Sequence, residues 1–165
     1  MALPGVVPVG DHTPSFEGLP INGEFRQFSV NISSDPNLQP ESLIVLVQIA
    51  SADLGSSDLN EAIQMVDWFD SQGFAEARFS SDQIVATDQD NQFVASGRLS
   101  LKAAEKTIEV PFSWQQSADG SIRMLGELKL DRGDFAIGSG EWSSGDQIGL
   151  AVKVWFDLNL VGTND

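Results

Sequence analysis

From about residue 90 to its end, this chain alternates apolar and polar side chains with a period of two. In the first segment, apolar or small side chains occupy every second position: Phe93, Ala95, Gly97, Leu99 and Leu101. Alternate side chains of a β-strand point to the same face of the sheet, whereas helices need a period near 3.6. The alternation therefore predicts strands, each with one apolar face.

Three further segments keep this period. Their apolar faces consist of Ile108, Val110, Phe112 and Trp114; of Ile122, Met124, Gly126, Leu128 and Leu130; and of Ile148, Leu150, Val152, Val154, Phe156, Leu158 and Leu160. Ala118-Asp119-Gly120-Ser121 separates the first two and contains the Asp-Gly pair typical of hairpins. Consecutive strands are therefore expected to be antiparallel.

The first half of the chain repeats the pattern less regularly. Its apolar positions are Phe25, Phe28, Val30 and Ile32, with a slip in the alternation; Leu43, Val45, Val47 and Ile49; and Ala75, Ala77 and Phe79. Short strands joined by short polar turns favour an up-and-down sheet. The expected fold is all-β, an antiparallel up-and-down β-barrel of about eight strands.

One segment has helical spacing instead. Ser56-Ser57-Asp58 is a typical helix start, and Leu59, Ile63 and Val66 follow at helical intervals. We expect one short α-helix over about 57–69, ending near Trp68-Phe69-Asp70. Because its aromatic end needs burial, we expect the helix to cap one end of the barrel.

The length of 165 residues suits a single hydrophobic core. We expect a linker over residues 1–14 and one barrel domain over 15–162, derived from a larger exported protein. No apolar run reaches the roughly 20 residues that cross a bilayer, and no charged segment followed by an apolar one opens the chain. The chain is therefore expected to lack a membrane span and to have lost a signal peptide.

The charge balance restricts the partners. The chain carries 24 acidic and 9 basic residues, a formal net charge of -15, whereas nucleic acids are bound mainly through Lys and Arg. We therefore expect no nucleic acid partner. The absence of cysteine excludes disulfides and thiolate chemistry, and it weakly favours an exported protein.

Groups that support catalysis or metal binding are scarce. His12 is the single histidine and lies in the expected linker, which argues against a catalytic triad and a zinc site. Asp88 and Asp90 fit a solvated turn better than a calcium loop, and Asp67 and Asp70 fit the turn that ends the helix. We predict no catalytic residue, no metal and no enzymatic activity.

The barrel interior has two alternatives, because a barrel of about eight strands is either just filled by side chains or able to hold one ligand. Small residues in the apolar rows would leave a cavity suited to a long apolar guest. They are Ala75, Ala77, Ala95, Gly97 and Gly126. In the other alternative, Phe112, Trp114 and Phe156 fill these gaps across the barrel.

Short motifs in a fixed order resemble the YceI-like proteins over roughly residues 15–160. They are Phe16-Glu17-Gly18, Gly23-Glu24-Phe25-Arg26-Gln27-Phe28, Ile49-Ala50-Ser51-Ala52-Asp53, Trp68-Phe69-Asp70, Ala77-Arg78-Phe79-Ser80-Ser81, Gly97-Arg98-Leu99-Ser100-Leu101 and Leu130-Asp131-Arg132-Gly133-Asp134-Phe135-Ala136-Ile137-Gly138. The last is similar to the family's R-x-D-F-G-hydrophobic pattern. Ala103-Ala104 stands where the family commonly has His-Gly, and Val7-Pro8-Val9-Gly10-Asp11 matches the family's opening strand only loosely.

The resemblance implies a lipocalin-like barrel that binds a polyisoprenoid lipid for carriage, storage or electron-transfer support, in the periplasm or secreted. Family members are thought to carry polyprenyl phosphates or isoprenoid quinones. Because basic residues are few, a ubiquinone-like ligand is favoured over a polyprenyl phosphate. Gly140-Glu141-Trp142 looks like a subgroup linked to cytochrome-like proteins, so a cytochrome or oxidoreductase domain is a candidate partner.

The alternative function is a protein–protein interaction module with a filled core. Its surface would then carry the function, with Ile44, Leu46 and Trp155 as exposed apolar residues. A homodimer is the simplest assembly of this kind.

Strand parity supplies the expected wall of the apolar tunnel. The predicted ligand-binding residues are Phe25, Phe28, Val45, Val47, Ile63, Trp68, Phe69, Phe79, Leu99, Leu101, Val110, Phe112, Trp114, Met124, Leu128, Phe135, Trp142, Val154 and Phe156. Trp68-Phe69, at the helix end, is expected near the mouth. A one-residue slip in register would turn any of these rows outward.

Overall fold

The chain is described by a computed structural model over residues 15–16, 19–20, 23–145 and 150–160. Its strands are β1 (Ser15–Phe16), β2 (Leu19–Pro20), β3 (Glu24–Phe25), β4 (Phe28–Ser34), β5 (Pro40–Gln48), β6 (Ala52–Asp53), β7 (Glu76–Ala86), β8 (Gln92–Leu101), β9 (Ala104–Gln116), β10 (Ile122–Asp131) and β11 (Ala151–Leu160). One α-helix, α1 (Ser57–Ile63), lies between β6 and β7, and three short 3-10 turns span Ile49–Ser51, Arg132–Phe135 and Gly140–Trp142.

Seven strands form one antiparallel sheet in the order β11-β10-β9-β8-β7-β5-β4, curled into a half-barrel. Neighbours in the sheet follow each other along the chain except that the short β6 and α1 intervene between β5 and β7. The remaining strands form two small ribbons, β1 with β2 and β3 with β6. The expected all-β, up-and-down antiparallel fold with one helix is confirmed, with seven strands in the main sheet where about eight were expected.

The register keeps the apolar rows on one face of the sheet. Val30 pairs with Val45, Val45 with Phe79, and Phe79 with Leu99, so these four side chains share the concave side. Bulges at Ser33/Ser34 and Ser81/Gln83 interrupt the pairing. The slip expected between Phe25 and Phe28 is the break between β3 and β4.

The hydrophobic core occupies one end of the concave face, close to the β4–β5, β7–β8 and β9–β10 turns. Its members are Val30, Ile32, Leu43, Phe79, Phe93, Ala95, Val110, Phe112, Trp114, Ile122, Met124, Leu158 and Leu160. Trp114 is 1% exposed, and its indole Nε1 donates to the Leu38 carbonyl at 3.0 Å, which satisfies its one polar group. We call this region the closed end.

Helix α1 lies at the opposite end and is shorter than the expected 57–69. Ser56 caps its N-terminus by accepting a hydrogen bond from the Leu59 amide at 3.1 Å, and Gln64 is its C-cap. The chain then continues in turns, and Asp70 adopts a φ of 49°. Val66, expected within the helix, instead follows it and is 67% exposed.

The outer face differs from expectation at three apolar positions. Ile44, Leu46 and Trp155 are half-buried, not exposed as an interaction surface would require. Within the described ranges, no helix is both long and apolar enough to cross a membrane. The linker predicted over residues 1–14, His12 and Ile148 lie outside the described residues.

Candidate binding site on the concave face

The concave rows of the sheet change from fully buried to half-buried along each strand. On β8, Phe93 and Ala95 are 8% and 0% exposed at the closed end, whereas Leu99 and Leu101 are half-buried. On β10, Met124 is 1% exposed, whereas Leu128 on the same row is half-buried. Protein interiors are close-packed, so accessible apolar side chains on a concave face mark a part that the described residues do not fill completely.

We call this part the open half. Its half-buried apolar side chains on the concave rows are Phe28, Val45, Val47, Leu99, Leu101, Ile108, Leu128, Leu130, Val152, Val154 and Phe156. All are aliphatic or phenyl side chains, without a hydrogen-bonding group. Such a surface suits an apolar guest and offers nothing to a sugar or nucleotide.

The small residues do not create this space. A Cβ on Gly126 would overlap the Phe156 ring and lie 2.8 Å from the Pro111 carbonyl, so Phe156 already fills the position. A Cβ on Gly97 would lie 2.6 Å from the Ser81 Cα, because the β7 bulge brings the two backbones together. The expectation that Gly97 and Gly126 leave a cavity is therefore wrong.

The alanines of these rows contribute little space either. Ala95 and Ala77 are 0% and 7% exposed, within packed surroundings. Ala75 lies just before β7 and is exposed. The alternative in which Phe156 fills a gap is confirmed at Gly126, so the open half does not depend on these small residues.

Aromatic side chains gather where the open half meets the cap. The Phe25 and Phe69 rings make an edge contact with centroids 5.8 Å apart. The ring centroids of Trp68 and Trp142 are also 5.8 Å apart, and all four aromatic side chains are half-buried. The aromatic end of the capping segment thus packs against Phe25 and Trp142, and its place near the mouth of a tunnel stays a prediction.

Arg132 organises the segment that carries Trp142. It is 4% exposed, and its Nη1 donates to the carbonyls of Ile137 and Gly138 at 2.8 and 3.1 Å. Its Nη2 donates to the Trp142 carbonyl at 2.7 Å, and its guanidinium lies 5.2 Å from the centre of the Trp68 ring. One buried cation thus holds both tryptophans in place.

Two further contacts tie the cap to the sheet. Lys102, in the β8–β9 turn, donates through Nζ to the carbonyls of Val66 and Ala136 at 2.8 and 2.9 Å. The Asp67 carbonyl accepts hydrogen bonds from the amides of Gly138 and Ser139, each at 2.7 Å. The capping turns and the 132–142 segment therefore form one connected cover at the mouth.

A charged cluster fixes the start of the cap. The Asp53 carboxylate accepts from Arg26 Nε at 2.9 Å, from the Gly55 amide at 2.9 Å and from Asn60 Nδ2 at 3.2 Å. The hydrogen bonds from Gly55, then those from Asn60 and Arg26, lower the pKa of Asp53 from its ordinary value. Asp53 stays ionised at neutral pH and links β6 to α1.

The structure divides the nineteen predicted wall residues into two groups. Six are buried by protein: Phe79, Val110, Phe112, Trp114 and Met124 in the closed end, and Phe135 in the capping segment. The others are half-buried: Phe25, Phe28, Val45, Val47, Ile63, Trp68, Phe69, Leu99, Leu101, Leu128, Trp142, Val154 and Phe156. As ligand contacts, all nineteen stay predictions.

Several residues of this region are missing from the predicted wall. Strand parity alone would have added three of them to the wall: Ile108, Leu130 and Val152. Arg132 is the first residue of the Arg132–Gly138 motif, so the sequence contained a local signal that this residue matters. Lys102 gives no such signal, because its two carbonyl partners lie 36 and 34 residues away.

The family comparison gives a match over nearly the whole chain. A sequence model described as the YceI-like domain matches residues 8–160. No curated protein sequence matches. The resemblance carried by the short motifs is thereby confirmed.

Solved structures share the fold. Burkholderia cenocepacia BcnA superposes with a TM-score of 0.85 and 26% identity, covering 94% of this chain and 96% of that one. A Campylobacter jejuni YCEI protein gives 0.70 and 19%, covering 86% of each chain. A polyisoprenoid binding domain from Saccharophagus degradans, implicated in plant cell wall breakdown, gives 0.70 and 16%, covering 96% and 92%. The last two likenesses show the fold alone.

Proposed function

The chain belongs to the YceI-like family, and from this premise we propose that it binds a long isoprenoid lipid on the concave face, without catalysis. The observation that carries the proposal is the open half, where apolar side chains are half-buried on the inner face of the sheet. The fold it shares with a polyisoprenoid binding domain supports the same function.

The energetics favour a long apolar chain. Each buried CH₂ contributes about 0.8 kcal/mol, and association costs several kcal/mol of lost freedom. A few prenyl units therefore suffice for net binding without polar contacts. The closed end limits how deep the chain can reach, because Phe112 and Trp114 are 2% and 1% exposed there.

A ubiquinone-like ligand is proposed over a polyprenyl phosphate. The chain has 9 basic residues against 24 acidic ones. Most of the basic side chains are engaged already: Arg26, Arg98, Arg123 and Lys153 in ion pairs, and Lys102 and Arg132 on backbone carbonyls. Few remain for a phosphate, which Arg and Lys normally bind.

The biological role proposed is carriage, storage or electron-transfer support in the periplasm or outside the cell. A bound quinone would exchange electrons with a cytochrome or oxidoreductase partner. Redox titration of the loaded protein with an external donor tests this role, and a quinone that never exchanges electrons counts against it.

An interaction module is the second candidate. The observation that favours it is the apolar surface of the cap, where Leu59, Met65 and Val66 are 43%, 61% and 67% exposed. A homodimer is its simplest form. Sedimentation over a range of concentrations tests the dimer, and a monomer at every concentration argues against it.

Three matched Val→Phe variants test the lipid site. Val154 lies on the open half, Val85 is 43% exposed on β7, and Val30 is 3% exposed at the closed end. Val154→Phe should lose most of the prenylquinone binding with little change in stability, because Val154 is only half-buried by the described residues and the added ring has room to enter the open half. Val85→Phe should change neither property.

Val30→Phe calibrates the stability readout. Overpacking of a filled core costs about 1–3 kcal/mol. If Val154→Phe destabilises as strongly as Val30→Phe, or binds prenylquinone as the unmodified protein does, the open half is not the lipid site. Tryptophan fluorescence quenching measures binding, and urea denaturation measures stability.

A further inference from the structure

The wall of the half-barrel splits between β9 and β10. These strands pair only from Ile122↔Gln116 to Gly126↔Phe112. Beyond that point β9 continues to Ala104 along β8, and β10 continues to Asp131 along β11. The two strands are thus unpaired with each other beside the open half, and we call the space between Ala104–Pro111 and Glu127–Asp131 the wedge.

Pro111 explains where the ladder stops. The Trp114 amide donates to the Asn91 carbonyl at 2.8 Å on the β8 side, so even-numbered β9 residues bond to β8 and odd-numbered ones face β10. Pro111 falls on a position facing β10 and has no N–H to donate. The position of Pro111 in the sequence therefore determines where the β9–β10 hydrogen bonds end.

Lys106 lies at this wedge with its side chain on the concave side. It pairs directly with Leu99, an open-half residue, and directly opposed residues of antiparallel strands point to the same face. Of the described residues on the concave rows of the open half, it alone is charged. The row is otherwise apolar, with Ile108 and Val110 following it.

Two basic residues flank the wedge, and the strand segments that border it also carry the acidic residues Glu105, Glu109, Glu127 and Asp131. Lys102 precedes β9 in the β8–β9 turn, and Arg132 follows β10 in a turn that lies against β9. Both are bound to backbone carbonyls. The Lys106 side chain is exposed, and its Nζ makes no hydrogen bond or ion pair with the part of the chain that the structure describes. The neighbouring Glu105 is engaged by Arg98 at 3.6 Å.

We propose that the wedge holds the head group of the bound lipid and that Lys106 Nζ donates a hydrogen bond to an oxygen of that head group. The inference rests on the proposed lipid function and adds where the polar end lies. The shared chemistry is an oxygen acceptor, which a quinone carbonyl and a prenyl phosphate both provide.

The test compares head-bearing and headless ligands. Lys106→Met removes the ammonium and keeps a long side chain, and Lys129→Met is the matched control on the outer face of β10. For a prenylquinone, Lys106→Met should weaken binding about tenfold, the size of a hydrogen bond from a charged donor. Squalene, a prenyl hydrocarbon without a head group, should bind both variants and the unmodified protein equally.

The same titrations separate the two head groups. With a polyprenyl phosphate, the loss in Lys106→Met should shrink as salt is raised, because an ion pair is screened. With a quinone, the loss of affinity in Lys106→Met should stay constant as salt is raised. If Lys106→Met binds prenylquinone as tightly as Lys129→Met does, the inference is overturned. If squalene binding is also unaltered in that case, the proposed lipid site itself is not contradicted. No binding of any prenyl compound by the unmodified protein instead refutes the proposed function.

Discussion

Ala136 holds a backbone conformation that suits glycine. Its φ is 55°, in the left-handed region, where a Cβ is strained. It stands where the R-x-D-F-G pattern has glycine, at the C-cap of the Arg132–Phe135 turn. Its carbonyl accepts the Lys102 bond, so the strained residue is also one of the points where the cover is attached.

Ala136→Gly should therefore stabilise the protein by about 1 kcal/mol, since the relief of strain exceeds the entropy cost of glycine. Ala118→Gly, in an exposed turn without positive φ, should destabilise by a few tenths to about 1 kcal/mol. Urea denaturation measures both. Equal destabilisation by the two substitutions would contradict the strain at Ala136.

Two glycines of the concave rows should respond differently to a methyl group. At Gly97 the new Cβ meets the backbone of Ser80 and Ser81, which the bulge fixes. At Gly126 it meets chiefly the end of the Phe156 ring, which can turn toward the open half. Gly97→Ala should cost about 1–3 kcal/mol and Gly126→Ala clearly less, with reduced lipid uptake. Thermal unfolding measures which variant is destabilised more. A larger loss in Gly126→Ala than in Gly97→Ala would contradict the different packing at the two glycines.

At the scale of elements, the strands follow directly from the sequence because the period of two is local. The apolar rows of the seven-stranded sheet were predictable to within the bulges, and the pairs Val30↔Val45 and Leu128↔Val154 are examples. The helix end was not predictable. Val66 continues the helical spacing of Leu59 and Ile63, but the helix ends at Ile63, and Trp68 packs against Trp142. Contacts between residues far apart in sequence decide such boundaries.

Lys102 holds the cover closed through its two carbonyl partners. Lys102→Met should remove both hydrogen bonds and raise amide exchange at Gly138 and Ser139 about tenfold, because their bonds to Asp67 open more often. Lys129→Met removes the same charge from the outer face of β10 and should leave these amides unchanged. Unaltered protection in Lys102→Met would show that the 132–142 segment is held without the lysine.

The Asp53 cluster should make the cap sensitive to acid. Because the folded-state pKa is lowered, its contribution to stability is complete above the unfolded value of about 3.9 and is lost as the pH falls through the lowered pKa. The Gly55 amide shift in NMR should therefore titrate with a midpoint below the ordinary pKa of an aspartate. Asp53→Asn should abolish that transition. A midpoint at or above the ordinary value would contradict the bonding at Asp53.

On the scale of the whole molecule, the two ends of the half-barrel have different roles. The closed end supplies stability through a packed core around Phe112 and Trp114. The opposite end keeps its inner face accessible and is covered by a segment held by Lys102 and Arg132. The division was not predictable from patterning, because Val110 and Val154 look alike in sequence, yet Val110 is 6% exposed and Val154 is half-buried.

The most direct test of a lipid on the concave face is organic extraction of the purified, detergent-free protein followed by mass spectrometry. The unmodified protein should release a prenyl lipid, with a quinone head group as the expected species, and Val154→Phe should release much less while Val85→Phe matches the unmodified protein. Recovery of no prenyl lipid, together with no uptake of added prenylquinone, would contradict the proposed function.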